Sequence, residues 1–241
     1  STLRTLGRIH SGPQALKTVE TLQNAGLAAI NIDLMFAIPG QSLHDWEADL
    51  EQTLQLQPSH ISAYCLTYEH DTEYFRKLCT GDFTQDEERD AQLFERTMDR
   101  LGAAGYTHYE ISNHALPGFE SRHNQAYWQG KEYLGLGPGA FSTLGEKRLT
   151  NLADTAEYVR RITRGDSPVS SREALDSATL QKERIAFGLR QAEGVEAALL
   201  QPWEADAAHL VEIGLLEPAG TRLRLTRRGK LLADAVAETF V

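Results

Sequence analysis

Two groups of residues carry chemistry that their surroundings do not demand. In the Ile-rich apolar run Ala28 to Met35, Asn31 and Asp33 alternate with Ile30, Ile32 and Leu34. In a strand this spacing places both polar side chains on one face of an element that would otherwise be apolar throughout. An ionised carboxylate there is costly unless it is hydrogen-bonded or paired, so Asp33 needs a partner, either protein or ligand. Arg8, just before the first helix, is one available cation, and it reads equally well as a solvated surface residue. The second group is Glu120-Ser121-Arg122-His123-Asn124-Gln125-Ala126-Tyr127-Trp128. An imidazole, an amide and two large aromatic rings this close together suit a flat conjugated ligand, with the imidazole as axial ligand to iron and the rings stacking. They equally suit a loop whose Tyr127 and Trp128 are pinned into the core and whose His123 caps a backbone group.

Other candidates are weaker. Ile38-Pro39-Gly40-Gln41 follows the first strand at the edge where barrels and open α/β sheets place ligands, but a Pro-Gly pair there is also simple punctuation. Cys65 lies within an apolar strand and reads as a small core residue; Cys79 has no neighbouring ligand, and no CxxC pair exists. His60, His70, His108, His114 and His123 lack the spacing of zinc sites, so no self-contained metal site is expected. Arg222, Arg224, Arg227, Arg228 and Lys230 form a local basic cluster, which suits either a DNA contact or docking against the rest of the protein.

The elements that would position these residues alternate in type. Helical spacing from Ser11 to Asn24 ends at Gly26, and Ser42 with Asp45 opens a helix whose face is Trp46, Leu50, Leu54 and Leu56. Ile61 to Leu66 reads as a second strand, Glu87 to Ala104 as a long helix closed by Gly105, and Tyr106 to Ser112 as a third strand. Such alternation implies βαβ units and a parallel sheet or barrel. Asn113 to Gly145 has no clear period and reads as an ordered excursion over one face of the sheet. Helical patterning returns over Leu152 to Thr163 and Leu175 to Gln191. From Pro202 the order is helix, a tight hairpin turning at Ala219-Gly220, then a last helix to Phe240, the outline of a small winged-helix-like module. A boundary is expected near Asp166 to Ser177, giving units 1–170, with the insertion 113–145, and 171–241.

Lys+Arg 24 against Asp+Glu 34 leaves a net charge of −10, which disfavours broad nucleic-acid binding. No apolar run spans a bilayer and no leader is visible, so a cytoplasmic location is expected, with peripheral membrane association left open.

Taken together, these residues resemble the radical S-adenosylmethionine proteins of the oxygen-independent coproporphyrinogen III oxidase family, most closely their heme chaperone branch. The motifs are Leu6-Gly7-Arg8-Ile9-His10, Asn31-Ile32-Asp33-Leu34 with Pro39-Gly40-Gln41, Ile61-Ser62-Ala63-Tyr64, and Leu66-Thr67-Tyr68-Glu69. Tyr109-Glu110-Ile111-Ser112-Asn113, Arg122-His123-Asn124 with Tyr127-Trp128, and Leu134-Gly135-Leu136-Gly137-Pro138-Gly139-Ala140 complete the set.

The resemblance implies an α/β fold: the C-terminal portion of a partial TIM-like barrel followed by the winged-helix-like domain. It also implies that the strand carrying a CxxxCxxC loop, which holds a 4Fe-4S cluster that chelates S-adenosylmethionine, precedes these residues, since no such motif occurs here. Arg8, Asp33, Thr67 and Phe141 align with positions that line the S-adenosylmethionine site. His123, Asn124, Tyr127 and Trp128 form the signature that separates the heme chaperone branch from the decarboxylating oxidases, with His123 the candidate heme iron ligand. Implied partners are heme and heme-accepting proteins. In this reading the chaperone function stands first, the oxidase second, and a non-catalytic scaffold with an interaction module third. Four positions depart from the family pattern as the resemblance implies it: Ala37 replaces a usual Gly, His70-Asp71 a Pro-Gly pair, and Phe141 a His of the chaperone branch.

Overall fold

The structure, a computed structural model, describes residues 2–241. The chain divides into two units, the first reaching to Glu120 and the second running Ser121–Val241. In the first, α1 (Thr2–Thr5) and α2 (Gly12–Asn24) precede β1 (Asn31–Phe36), α3 (Leu43–Gln55) and β2 (His60–Cys65). Next come α4 (Glu73–Cys79), α5 (Glu87–Ala103), β3 (Thr107–His108) and β4 (Asn113–Ala115). Helix α3 starts at the expected capping box: Asp45 N–H donates to Ser42 Oγ at 3.1 Å and Ser42 N–H to the Asp45 carboxylate at 3.0 Å. Asp86 caps α5 by accepting from Arg89 N–H at 3.0 Å, and Glu87, Glu88 and Asp90 place negative charge at the positive end of the helix dipole.

The four strands order as β1-β2-β4-β3, with β1 and β2 parallel. The expected βαβ unit is therefore present. The expected third strand, Tyr106 to Ser112, is instead a reversal: two short strands, β3 and β4, pair antiparallel around Tyr109 to Ser112, and β4 pairs antiparallel with β2. Polar Glu110, Ser112 and Asn113 favour a turn over a continued strand, and Asn113 N–H closes it on Glu110 O at 3.3 Å. On one face Phe36 meets Trp46 of α3 at 5.4 Å and Phe94 of α5 at 6.0 Å between ring centroids. The indole N–H of fully buried Trp46 is satisfied by Thr97 Oγ1 at 2.9 Å. His114, paired in register with Ile61, lies on this same face, its ring stacked 4.1 Å from that of His108.

The second unit contains α6 (Arg122–Trp128), β5 (Phe141–Leu144), β6 (Lys147–Asn151), α7 (Thr155–Arg164), β7 (Val169–Ala174) and α8 (Ser177–Leu189). After these come β8 (Val195–Glu196), a 3₁₀ helix (Ala197–Trp203), α9 (Glu204–Glu212), β9 (Leu216–Ala219), β10 (Arg222–Leu225), α10 (Arg227–Leu231) and α11 (Ala233–Glu238). The hairpin β9/β10 turns where expected and, with β8, makes the small sheet β8-β10-β9 of the winged-helix-like module around buried Ile185, Leu189, Leu200, Leu216, Val236 and Phe240. A second antiparallel sheet, β5-β6-β7, has no clear signal in the sequence pattern. The boundary expected at 170/171 falls inside β7, whose Glu173 and Ser171 pair in register with Arg148 and Thr150 of β6.

Two of the departures from the family pattern sit where the backbone is left-handed: φ is +60° at Ala37 and +66° at Asp71. Side chains at positive φ crowd the following carbonyl, which is why Gly suits such positions. At Ala37 the strain is offset by its buried methyl, since the residue is only 2% exposed. Exposed Asp71 has no such compensation. Asp71→Gly is expected to stabilise the first unit by roughly 0.5–1 kcal/mol in denaturant unfolding; a loss of stability would refute the strain. Trp46→Ala is expected to cost about 3–5 kcal/mol by the same measurement, and a cost below about 1 kcal/mol would show that the helix layer does not rest on this indole.

Candidate functional site

The parallel register sorts the polar residues into rows. Asn31 lies beside His60, and Asp33 beside Ser62, which in turn faces Asn113 of β4. Residues opposite one another in a ladder share a face, so these side chains occupy the side of the sheet away from α3 and α5. The carboxylate expected there is present, but its surroundings differ from expectation. Asp33 is exposed, not buried, and its partner is the Asn31 amide, which donates to Asp33 Oδ1 at 2.7 Å. The Arg8 guanidinium makes no hydrogen bond or ion pair among the described residues, so an Asp33–Arg8 pair is not what holds the carboxylate. Among the described residues this face of β1 is open, so the carboxylate carries no burial cost here.

Arg8 and Asp33 do share one cavity of about 700 Å³, bounded by α1, α2, β1 and α3. His10, Leu16, Val19, Ile32 and Met35 also line it. Buried residues behind Asp33 support its neighbour: Asn31 Oδ1 accepts from His60 Nδ1 at 2.6 Å and from Ser62 Oγ at 3.2 Å, and His60 Nε2 meets Tyr109 OH at 2.7 Å. Burial lowers the proton affinity of His60, opposed by the charges of Asp33 and Glu120. Asn113 Oδ1, in the same row, is a buried acceptor with no hydrogen-bond partner among the described residues. Thr67, exposed after β2, contacts Glu69 Oε1 at 3.4 Å and is not among the residues lining the cavity.

Phe141 belongs to the second unit, at the start of β5 and half exposed. The glycine loop before it is rigidly held. A Cβ at Gly135 would lie 1.9 Å from Phe141 O; Asn151 Nδ2 donates to Gly137 O at 3.1 Å, and Tyr158 OH accepts from Gly137 N–H at 3.2 Å. Sequence reading did not single out Asn151 or Tyr158, because the strand and helix that carry them had no visible link to the loop.

The segment expected to be either a ligand site or a pinned loop is helix α6. Ser121 caps it, accepting from Asn124 N–H at 3.3 Å. Its residues separate onto different sides. His123 and Tyr127, one turn apart, are exposed with ring centroids 5.2 Å apart, and Tyr127 continues to Tyr133 at 4.3 Å. Trp128 points the other way, against Phe187 of α8 at 6.0 Å and under the Arg190 guanidinium at 5.1 Å. Half-buried Asn124 lies between these sides. His123 is thus free to ligate, while Trp128 is committed to packing.

The Asp33 carboxylate, with Oδ2 unengaged among the described residues, matches the hydroxyl and ammonium donors of S-adenosylmethionine, and Arg8 matches its carboxylate. A 4Fe-4S cluster does not fit this chain: it needs Cys thiolates, and only Cys65 and Cys79 exist. The Cys65 thiol, shielded although the residue keeps exposed surface, is pushed up to about 11 by burial, and no cluster of metal-binding side chains occurs among the described residues. The basic cluster on the wing is largely engaged: Arg222 with Glu196, Arg224 with Glu217, and Arg228 with Ile213 O. Among the described residues no helix is long and apolar enough to cross a membrane.

No protein-family model matches the chain. Heme chaperone HemW of Mycobacterium tuberculosis is 36% identical over 99% of this chain and 62% of its own length, and that of Bacillus subtilis 30% over 99% and 66%. A mitochondrial radical S-adenosyl methionine domain-containing protein 1 of Danio rerio is 31% identical over 99% of this chain and 59% of its own. The chain therefore spans about three-fifths of the length of the curated relatives it matches. Coproporphyrinogen III oxidase from Escherichia coli, a radical S-adenosylmethionine enzyme, has the same fold at a TM-score of 0.79 and 18% identity, covering 99% of this chain and 61% of that one. Over 99% of its length the chain is similar in sequence to HemW proteins and to a radical S-adenosyl methionine domain-containing protein, and it shares the fold of coproporphyrinogen III oxidase.

Proposed function

We propose that the chain forms the S-adenosylmethionine-facing and heme-carrying portion of a cytoplasmic heme chaperone that passes heme to acceptor proteins. The complete protein also holds a 4Fe-4S cluster, which would anchor S-adenosylmethionine through residues outside this chain. The observation that carries the reading is helix α6: an exposed imidazole and an exposed phenol one turn apart, on a helix fixed from behind by Trp128. His123 would ligate heme iron, Tyr127 and Asn124 would flank the ring, and Trp128 holds the helix in place. Asp33 would accept hydrogen bonds from S-adenosylmethionine and Arg8 would meet its carboxylate, with Thr67 of the same unit as a further contact. The sequence matches to HemW proteins support the chaperone over the oxidase, because the likeness to coproporphyrinogen III oxidase is one of fold.

Heme titration into this chain is expected to give a Soret band of imidazole-ligated iron, and His123→Ala to lose that band and bind at least ~10-fold more weakly, about 1.4 kcal/mol. Identical spectra and affinity would remove His123 from the role. Release of carbon dioxide from coproporphyrinogen by the complete protein would overturn the chaperone reading in favour of the oxidase.

A further inference from the structure

The polar side of the β1/β2 sheet contains more than the carboxylate. Asp33 is exposed, yet the groups behind it are buried: His60 is 7% exposed, Ser62 2% and Tyr109 8%. Their hydrogen bonds have one consistent direction. An ionised carboxylate only accepts, so the atom of Asn31 facing Asp33 Oδ1 at 2.7 Å is the donating Nδ2. Asn31 Oδ1 then accepts from both His60 Nδ1 and Ser62 Oγ. His60 therefore carries its hydrogen on Nδ1, and Nε2 accepts from the Tyr109 hydroxyl. Burial favours the neutral ring this arrangement requires.

We infer that Tyr109, His60 and Asn31 form a hydrogen-bonded relay that presets the orientation of Asp33 for S-adenosylmethionine, acting as positioning residues. This rests on the reading of Asp33 as a contact to that cofactor. The physical reason is preorganisation. A carboxylate without such support would sample several rotamers and lose that freedom on binding, whereas the relay fixes it beforehand from buried residues. Register pins the relay, because Asn31 reaches His60 only while β1 and β2 keep their present alignment.

The test uses the whole chain, with S-adenosylhomocysteine as calorimetric probe and ¹⁵N resonances of the histidine rings as a second readout. The unmodified chain is expected to show His60 as the Nδ1–H tautomer at pH 7. Asn31→Ala and Tyr109→Phe are expected to weaken the probe roughly 2- to 10-fold, with Tyr109→Phe also shifting the His60 Nε2 resonance. Asp33→Asn is expected to weaken it further. Loss of binding in Asp33→Asn with unchanged binding in both other variants would refute the relay and leave the reading of Asp33 standing. Unchanged binding in Asp33→Asn, or no binding by the unmodified chain, would refute that reading and the relay with it. An Nε2–H tautomer at His60 would also overturn the relay. Should Asn31→Ala fail to fold, Tyr109→Phe, which removes a single oxygen, decides alone.

Discussion

The parallel alignment of β1 with β2 decides which side chains can meet a ligand, because alternate residues of a strand project to opposite faces. Phe36 faces α3 and α5, where Trp46, Leu93 and Phe94 complete a dry layer, and Ile32 and Leu34 project to the same side, lining the cavity beside α3. Asn31, Asp33, His60 and Ser62 are thereby gathered on the other face. A slip of one residue would exchange the two sets, burying Asp33 beneath the helices and exposing Phe36 to water, at a cost in both transfers. Hydrophobic packing on one side thus holds polar chemistry in place on the other.

The second unit achieves a similar division on one short helix. Helix α6 is too short to be stable alone, so its position depends on the Trp128 contact with Phe187 and Arg190 and on the Gln191 amide, which donates to Trp128 O at 3.0 Å. That anchorage leaves His123 and Tyr127 in solvent. The glycine loop before Phe141 is held just as firmly, by Asn151 and Tyr158, while Leu134 and Leu136 stay 66% and 82% exposed. Apolar side chains displayed on a backbone this constrained are unfavourable in water and favourable against a ligand or another surface.

Strong local signals made much of the fold legible in sequence. The Ser42 and Asp45 capping box, the Trp46 and Leu50 face and the hairpin at Ala219-Gly220 each follow from neighbouring residues and appear as read. The β5-β6-β7 sheet was hidden because β7 is Val-Ser-Ser-Arg-Glu-Ala, polar and mostly exposed, with no alternation to betray it. Aromatic and β-branched residues around Tyr109 to Ser112 favour a strand locally, and the reversal there is set by the pairing of β4 with β2 and β3. At the site, the alternation of Asn31 and Asp33 was visible, but their links to His60 and Tyr109 were not: they join residues 29 and 49 positions apart through tertiary packing. The exposure of Asp33 is likewise a tertiary property, set by which elements lie over that face of β1.

Ala37 and Asp71 show how the family pattern bends without breaking. Both occupy left-handed backbone where Gly would be relaxed, so the turns after β1 and β2 are retained by the surrounding structure in spite of local cost. The turn after β1 places Gln41 inside, its Oε1 accepting from Ile38 N–H at 3.3 Å. Tight closure there keeps the end of β1 beside the cavity that Arg8 and Asp33 share. The most direct measurement is photolabelling with an azido analogue of S-adenosylmethionine followed by peptide mapping. Label is expected in the peptide bearing residues 31–36, competed by S-adenosylhomocysteine; label absent there and confined to residues 121–241 would contradict a cofactor site on the polar face of β1.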